Sequence, residues 1–446
     1  MTQADEFDPA HADRVTVLHV NFTSTRILTA SADHRIKVWE RDTESGEQIL
    51  TDTWTAHDAD IRDAKWLHPT TGSNIASIGN DLKFKLWTED PSQPPNSGRR
   101  FRPISNIPSS SKVPFVSLDI KKLDSVYTYL ALIDRSGLLS IYEPTSFDSF
   151  KDWSLLDQWN VCAPNPPDRG AETSFKVRFD QNPVSTPYMN SLTDDKKMLS
   201  LITTAMDTVK IYRSTIVQYD FNGTPGAIPS AGQDRTTFFE AARFPTHPAL
   251  IRDAQWAPFN VRGFDLFATA CRDGGVRIYK LDTTAGSNIA TNKPDNEGAS
   301  TLSPNNARQT STAPIFHHRP GPQSSLTSAI VGRSATTSTS STLYPSSTAT
   351  TPSTTNFARD QPRFTFLSPF THTITTESEL LNAHRDAWAL CWDPAGQVLM
   401  SSGSDGVTKL WKKAVMGAGW MLFADQEVSV DESDEEEAEA GEKGNG

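Results

Sequence analysis

Four stretches of the chain share one ending: SADHRIKVW (Ser31–Trp39), GNDLKFKLW (Gly79–Trp87), CRDGGVRIY (Cys271–Tyr279) and GSDGVTKLW (Gly403–Trp411). In each, an Asp stands six residues before the terminal aromatic: Asp33 before Trp39, Asp81 before Trp87, Asp273 before Tyr279 and Asp405 before Trp411. Four residues before each Asp lies a hydroxyl, on Thr29, Ser77, Thr269 and Ser401, and roughly 20 residues further upstream a His: His11, His57, His247 and His384. Around these anchors run short alternating apolar segments broken by Gly, Asn, Asp and Pro, which read as strands and turns, so the fold class is all-β. The spacing has a physical reason. An Asp in a tight turn accepts from turn amides and from an imidazole. The same His bonds the strand hydroxyl, which in turn reaches the indole, so one chain of satisfied polar groups ties a loop to two strands. His, Ser and Asp also suggest catalysis, but a triad occurs once, beside an oxyanion hole, and this set recurs four times. The sixteen residues are therefore assigned to folding, and Tyr279 alters the indole link in its repeat.

The pattern is that of the WD40 repeat, with four strands to each blade of a β-propeller. Two weaker repeats fill the gap. Leu130–Tyr142 has Ser136 where the turn Asp is expected and no upstream His; Leu199–Tyr212 ends in MDTVKIY with Asp207 displaced by one position. Both are expected to rely on apolar packing. Six blades result, ending at Trp39, Trp87, Tyr142, Tyr212, Tyr279 and Trp411. The D-G and G-G pairs at Asp273-Gly274-Gly275 and Asp405-Gly406 read as hairpin turns.

The 446 residues carry a net charge of −12. Cys162, Cys271 and Cys391 are odd in number and never paired as CxxC, which points to reduced thiols rather than a disulfide framework or a zinc site. No apolar run of membrane-spanning length exists, and Met1–Ala10 lacks the apolar core of a secretory signal. Residues 334–356 hold 16 Ser or Thr, so 282–372 reads as a disordered insertion between blades one to five (1–281) and blade six (373–426). Residues 427–446 read as an acidic disordered tail. From Asp425 onward ten acidic residues and one Lys account for −9 of the −12, so the charge says little about the ring. No phosphate-binding loop is present, no cofactor is expected, and direct nucleic-acid binding is disfavoured. His317-His318 is too small a set for a metal site. Ser433, amid acidic residues, is a candidate for phosphorylation. Arg99, Arg100 and Arg102 are expected to form a solvated loop paired with Glu89 and Asp90.

Gln48–Thr55 reads as the outer strand of blade one and Gly419–Gln426 as that of blade six. The few polar residues before His11 offer no strand to exchange, so the ring is expected to end flush, open between blades six and one. The seam is assigned to Val15, Val17, Ile27 and Val38 on one side and Leu399, Val407 and Leu410 on the other. An inserted blade from a partner is expected to cover it.

The stretches SADHRIKVW, AHDADIRDAKW, KLWTEDPSQPPNSGRRFRP, LIRDAQWAPFNVRGFDLFATACRDGGVRIYK and WALCWDPAGQVLMSSGSDGVTKLWK resemble the Seh family of WD40 nucleoporins, over residues 11–281 and about 380–424. The specific element is Trp87–Arg100, where W-x-E-D-P is followed by S-G-R-R; the related Sec-thirteen vesicle-coat subunit generally lacks that loop. The resemblance implies a non-enzymatic scaffold subunit of the nuclear pore Y-complex. It implies an open six-bladed propeller completed by a blade from an α-helical solenoid nucleoporin. It also implies peripheral membership of a vacuolar-membrane complex that regulates TOR signalling. A vesicle-coat propeller and a peptide-reading adaptor are the alternatives.

Overall fold

The computed structural model describes residues 7–42, 44–123, 127–146, 149–168, 170–182, 198–218, 234–258, 263–285, 370–414 and 419–427. Among these residues, alternation of apolar and polar positions yields twenty-four strands, and every sheet is a four-stranded antiparallel meander of consecutive strands. Blade one comprises β1 (Val15–Val20), β2 (Arg26–Ser31), β3 (Arg35–Arg41) and β4 (Gln48–Thr55); blade two comprises β5 (Ile61–Trp66), β6 (Asn74–Gly79), β7 (Lys83–Glu89) and β8 (Phe101–Pro108). Blade three is β9 (Phe115–Leu123), β10 (Tyr127–Asp134), β11 (Leu138–Ser146) and β12 (Ser149–Asn160); blade four is β13 (Phe175–Phe179), β14 (Ser200–Ala205), β15 (Thr208–Gln218) and β16 (Asp234–Arg243). Blade five is β17 (Ile251–Trp256), β18 (Asp265–Cys271), β19 (Val276–Ala285) and β20 (Phe370–Leu380); blade six is β21 (Ala387–Trp392), β22 (Val398–Gly403), β23 (Val407–Lys413) and β24 (Trp420–Glu427). The molecule is a six-bladed WD40 propeller.

Turn chemistry sets the hairpins. The residue after the turn Asp is left-handed in all four strong repeats: His34 (φ 71°), Leu82 (φ 66°), Gly274 (φ 78°) and Gly406 (φ 72°). At Gly274 no other residue fits, because a Cβ there would lie 1.9 Å from the His384 carbonyl oxygen.

The core lies between blades. Five apolar clusters each span one junction, from one–two to five–six; Leu28, Val38 and Trp54, for example, pack on Ile61, Ile75 and Trp87. Among the described residues no cluster spans blades six and one.

Two expectations change. The insertion leaves and returns inside blade five: Ala285 pairs with Phe370 and Val276 with Leu380, so residues 373–380 belong to β20 and blade six begins at Ala387. The cause is that Tyr279 lies within the third strand, which runs on to Ala285, and the outermost strand of that blade lies across the insertion. Residues 282–285 and 370–372 are accordingly strand; 286–369, with His317 and His318, and 428–446, with Ser433, lie outside the described residues. The outer strands of the two end blades fall at Gln48–Thr55 and Trp420–Glu427, and among the described residues each pairs within its own blade.

Candidate functional site

In blade one, His11 meets Asp33 through Nδ1 at 2.8 Å and Thr29 through Nε2 at 3.0 Å, and Trp39 Nε1 donates to Thr29 Oγ1 at 3.0 Å. Blade two repeats this with His57, Asp81, Ser77 and Trp87, and blade six with His384, Asp405, Ser401 and Trp411. Burial by itself raises the Asp33 carboxyl, but the Arg35 amide, His11 and the Ala12 amide outweigh it and hold it below its ordinary value; Asp81 and Asp405 behave alike. Blade five departs. His247 still meets Thr269, at 3.0 Å, and Tyr279 Oη at 3.2 Å, but Asp273 turns to Arg277 (2.6 Å) instead of to the imidazole.

A further polar element escaped the sequence reading, although every quoted stretch holds it: the cation two residues before the aromatic. Lys37 donates to the Pro9 and Ala10 carbonyls, Lys85 to Ala56 and Lys409 to Ala383, each latching the loop that carries the next strand's His. Blade four shares the device, with Lys210 on Val161 at 2.6 Å. Nor do the weak blades rest on apolar packing alone. Asp134, two residues before Ser136, accepts from Ser136, Leu138 and Ser111. In blade four the buried Arg213 bonds Ser200 (2.8 Å), Asp265 of blade five (3.2 Å) and His372 (3.0 Å).

The seam residues require comparison at equal register. Val15 pairs across its hairpin as Ile61, Ile251 and Ala387 do in blades two, five and six; those three are wholly buried and Val15 is 37% exposed. Leu18, opposite Thr29, is 60% exposed, against 0–4% for Ala64, Ala254 and Leu390 opposite Ser77, Thr269 and Ser401. Val20 is exposed where Trp256 and Trp392 are buried. On blade six Met400 is exposed where its counterparts Leu28, Ala76 and Ala268 are wholly buried, and Leu410 is only half-buried.

The predicted seam set is thereby corrected. Val15 and Ile27 occupy the uncovered face of blade one, and Leu410 that of blade six. Val38 is buried at the junction with blade two and Val17 packs there too; Leu399 is buried at the junction with blade five, and Val407 sits half-buried at the strand tip. A bulge between Val15 and Val17 reverses the parity, so Leu18 joins Val15 on one face, which simple alternation misassigns.

Comparison with known proteins adds the family. The WD domain, G-beta repeat family matches residues 5–40 and 375–412. Nucleoporin SEH1 of Chaetomium thermophilum is 30% identical, over 94% of this chain and 93% of its own length. The chain belongs to the SEH1 nucleoporin family. Nucleoporin SEH1 of Saccharomyces cerevisiae is 26% identical over 91% of this chain and 94% of its own, and that of Homo sapiens 23% over 61% and 83%.

The loop singled out for its likeness to the SEH1 family is a junction rather than a solvated turn. Glu89 is buried and takes Arg26 of blade one bidentately (2.7 and 3.0 Å) together with Arg100 Nε (2.7 Å). The Arg26 guanidinium also stacks over Trp66, and Asp52 of blade one accepts the Gly98 and Arg100 amides. The expected pair with Glu89 exists for Arg100, but its function is to clamp blades one and two.

In this SEH1-family propeller three imidazoles are held neutral: burial, then Lys65 beside His19, Arg277 beside His247 and Arg213 beside His372, push each down to about 4. Each unfolded imidazole binds its proton near 6.5, so their contribution is full above that pH and is lost as pH falls from 6.5 towards 4. Asp265, raised to about 6 by burial despite Arg213, runs in the opposite sense, and three groups outweigh one. We expect a lower Tm by scanning calorimetry at pH 5 than at pH 7; an equal or higher value at pH 5 refutes the account.

Proposed function

We propose that the chain is a non-enzymatic scaffold subunit of the nuclear pore Y-complex, acting by binding alone. Its seam accepts a blade inserted by an α-helical solenoid nucleoporin, supporting pore assembly and nucleocytoplasmic transport, including that of mRNA. A second peripheral pool at the vacuolar membrane, in a TOR-regulating complex, belongs to the same reading. The observation that carries it is the exposure of Val15, Leu18 and Val20 at positions that neighbouring blades bury elsewhere in the ring. An apolar sheet face of this kind calls for cover. An inserted blade supplies main-chain pairing and apolar burial together, on the scale of about 2,000 Å² or more found in obligate interfaces. The relatives' name, nucleoporin, supports seeking such a partner at the nuclear pore.

The test is affinity purification of the full chain followed by mass spectrometry. Recovery of α-solenoid nucleoporins is expected. Recovery of vesicle-coat proteins without them overturns the reading.

A further inference from the structure

At each junction the blade before it sends one residue from the end of its outermost strand onto the network aromatic of the next. Trp54 lies 5.7 Å from Trp87, Trp159 4.9 Å from Tyr212 and Phe244 5.3 Å from Tyr279, ring to ring. Ile107 packs in the cluster of Tyr142, and Leu380 in that of Trp411. These five residues share one register. Trp54 pairs with Ile36, Ile107 with Phe84, Trp159 with Leu139 and Leu380 with Val276, while the Phe244 amide bonds the Val209 carbonyl; each partner stands three residues before its blade's aromatic. In blade six that place, opposite Thr408, is Gln426. Among the described residues, blade six therefore offers no apolar residue at the register that caps the next aromatic elsewhere.

Trp39 is capped nonetheless. Phe7 packs edge-on at 5.6 Å, at a distance within the range of the other caps. The sequence offsets agree as well: Phe7 precedes His11 by four residues, as Leu380 precedes His384, and Trp54 and Phe244 precede His57 and His247 by three. Lys37 then holds Pro9 and Ala10 as Lys85 holds Ala56. The residues after Phe7 thus follow the path that elsewhere leads from an outermost strand into the next blade.

We propose that Phe7 is this chain's own share of the seventh blade: the end of its outermost strand, retained in the complex, with the partner supplying the strands inside it. The inference rests on the seam reading above, and it specifies the partner, whose inserted sheet leaves its outer edge free beside Phe7 and presents no residue of its own to Trp39. The sequence expectation that the residues before His11 offer no strand is accordingly revised.

The test uses the full chain and the full-length α-solenoid nucleoporin that co-purifies with it. Phe7→Ala is expected to weaken binding about tenfold, the order of one aromatic cap, and Phe7→Leu to restore most of it. Amides of residues 8 and 10 are expected to gain hydrogen-exchange protection in the complex, a readout that general destabilisation does not produce. Unchanged or tighter binding by Phe7→Ala, or lost protection, overturns the proposal and marks Phe7 as a plug that the partner displaces. Leu18→Asp separates the two readings. If it abolishes binding while Phe7→Ala does not weaken it, the Phe7 assignment alone falls; if it leaves binding intact, the seam reading falls with it.

Discussion

Leu18→Asp is expected to abolish capture of the solenoid partner while leaving the Tm of the free propeller within a degree or two. Leu18 is 60% exposed in the free chain, so an Asp there is well hydrated and folding loses little. In the complex the same carboxylate would be buried against an apolar sheet without a counter-ion. Lost apolar burial of about 1.5–3 kcal/mol adds to the cost of the uncompensated charge, which together exceed a hundredfold in Kd. Isothermal titration of the variant against the full-length solenoid reads this directly. An unchanged Kd would remove the seam from the interface. Ala64→Asp is the contrast: its position is register-equivalent but wholly buried, so the expected result there is failure to fold.

The second large effect is on stability. Arg213→Ala is expected to cost about 3–5 kcal/mol, because it strands Asp265 as a buried carboxylate without its counter-ion and deprives His372 of its donor. Urea unfolding should show a lower midpoint, and Asp265→Asn on the Arg213→Ala background should recover part of the loss, since an amide carries no charge to strand. No recovery in the double variant would mean that Arg213 acts by packing alone. No sequence pattern signals this cluster. Ser200, Arg213, Asp265 and His372 span 172 residues and the whole insertion, and no spacing rule connects them.

The contrast with the four network repeats is instructive. His57, Ser77, Asp81 and Trp87 lie within one hairpin and the loop that feeds it, so the chemistry that joins them is written at fixed spacing and repeats. Lys85 was equally legible, two residues before Trp87, but a lone Lys on a strand reads as solvent-facing until the loop carbonyl it bonds is placed. Blade five shows the opposite failure. Asp273 and His247 keep the spacing, yet Arg277 four residues on supplies a stronger, charge-assisted partner and takes the carboxylate away, holding it at about 2.

By itself, the sequence determined the all-β propeller, the positions of its turns, the number of blades and the members of three complete polar networks, because all of these depend on contacts within about one repeat length. Tertiary structure alone decided which face of each strand is covered. A single bulge at Val15/Val17 inverts the parity of β1, moving Leu18 onto the open face, while Val38 and Leu399 turn into junctions with neighbours on their other side. It also decided that the insertion interrupts blade five and that Phe7 packs edge-on against Trp39. Burial of a strand face is set by the adjacent sheet, and among the described residues no sheet precedes blade one.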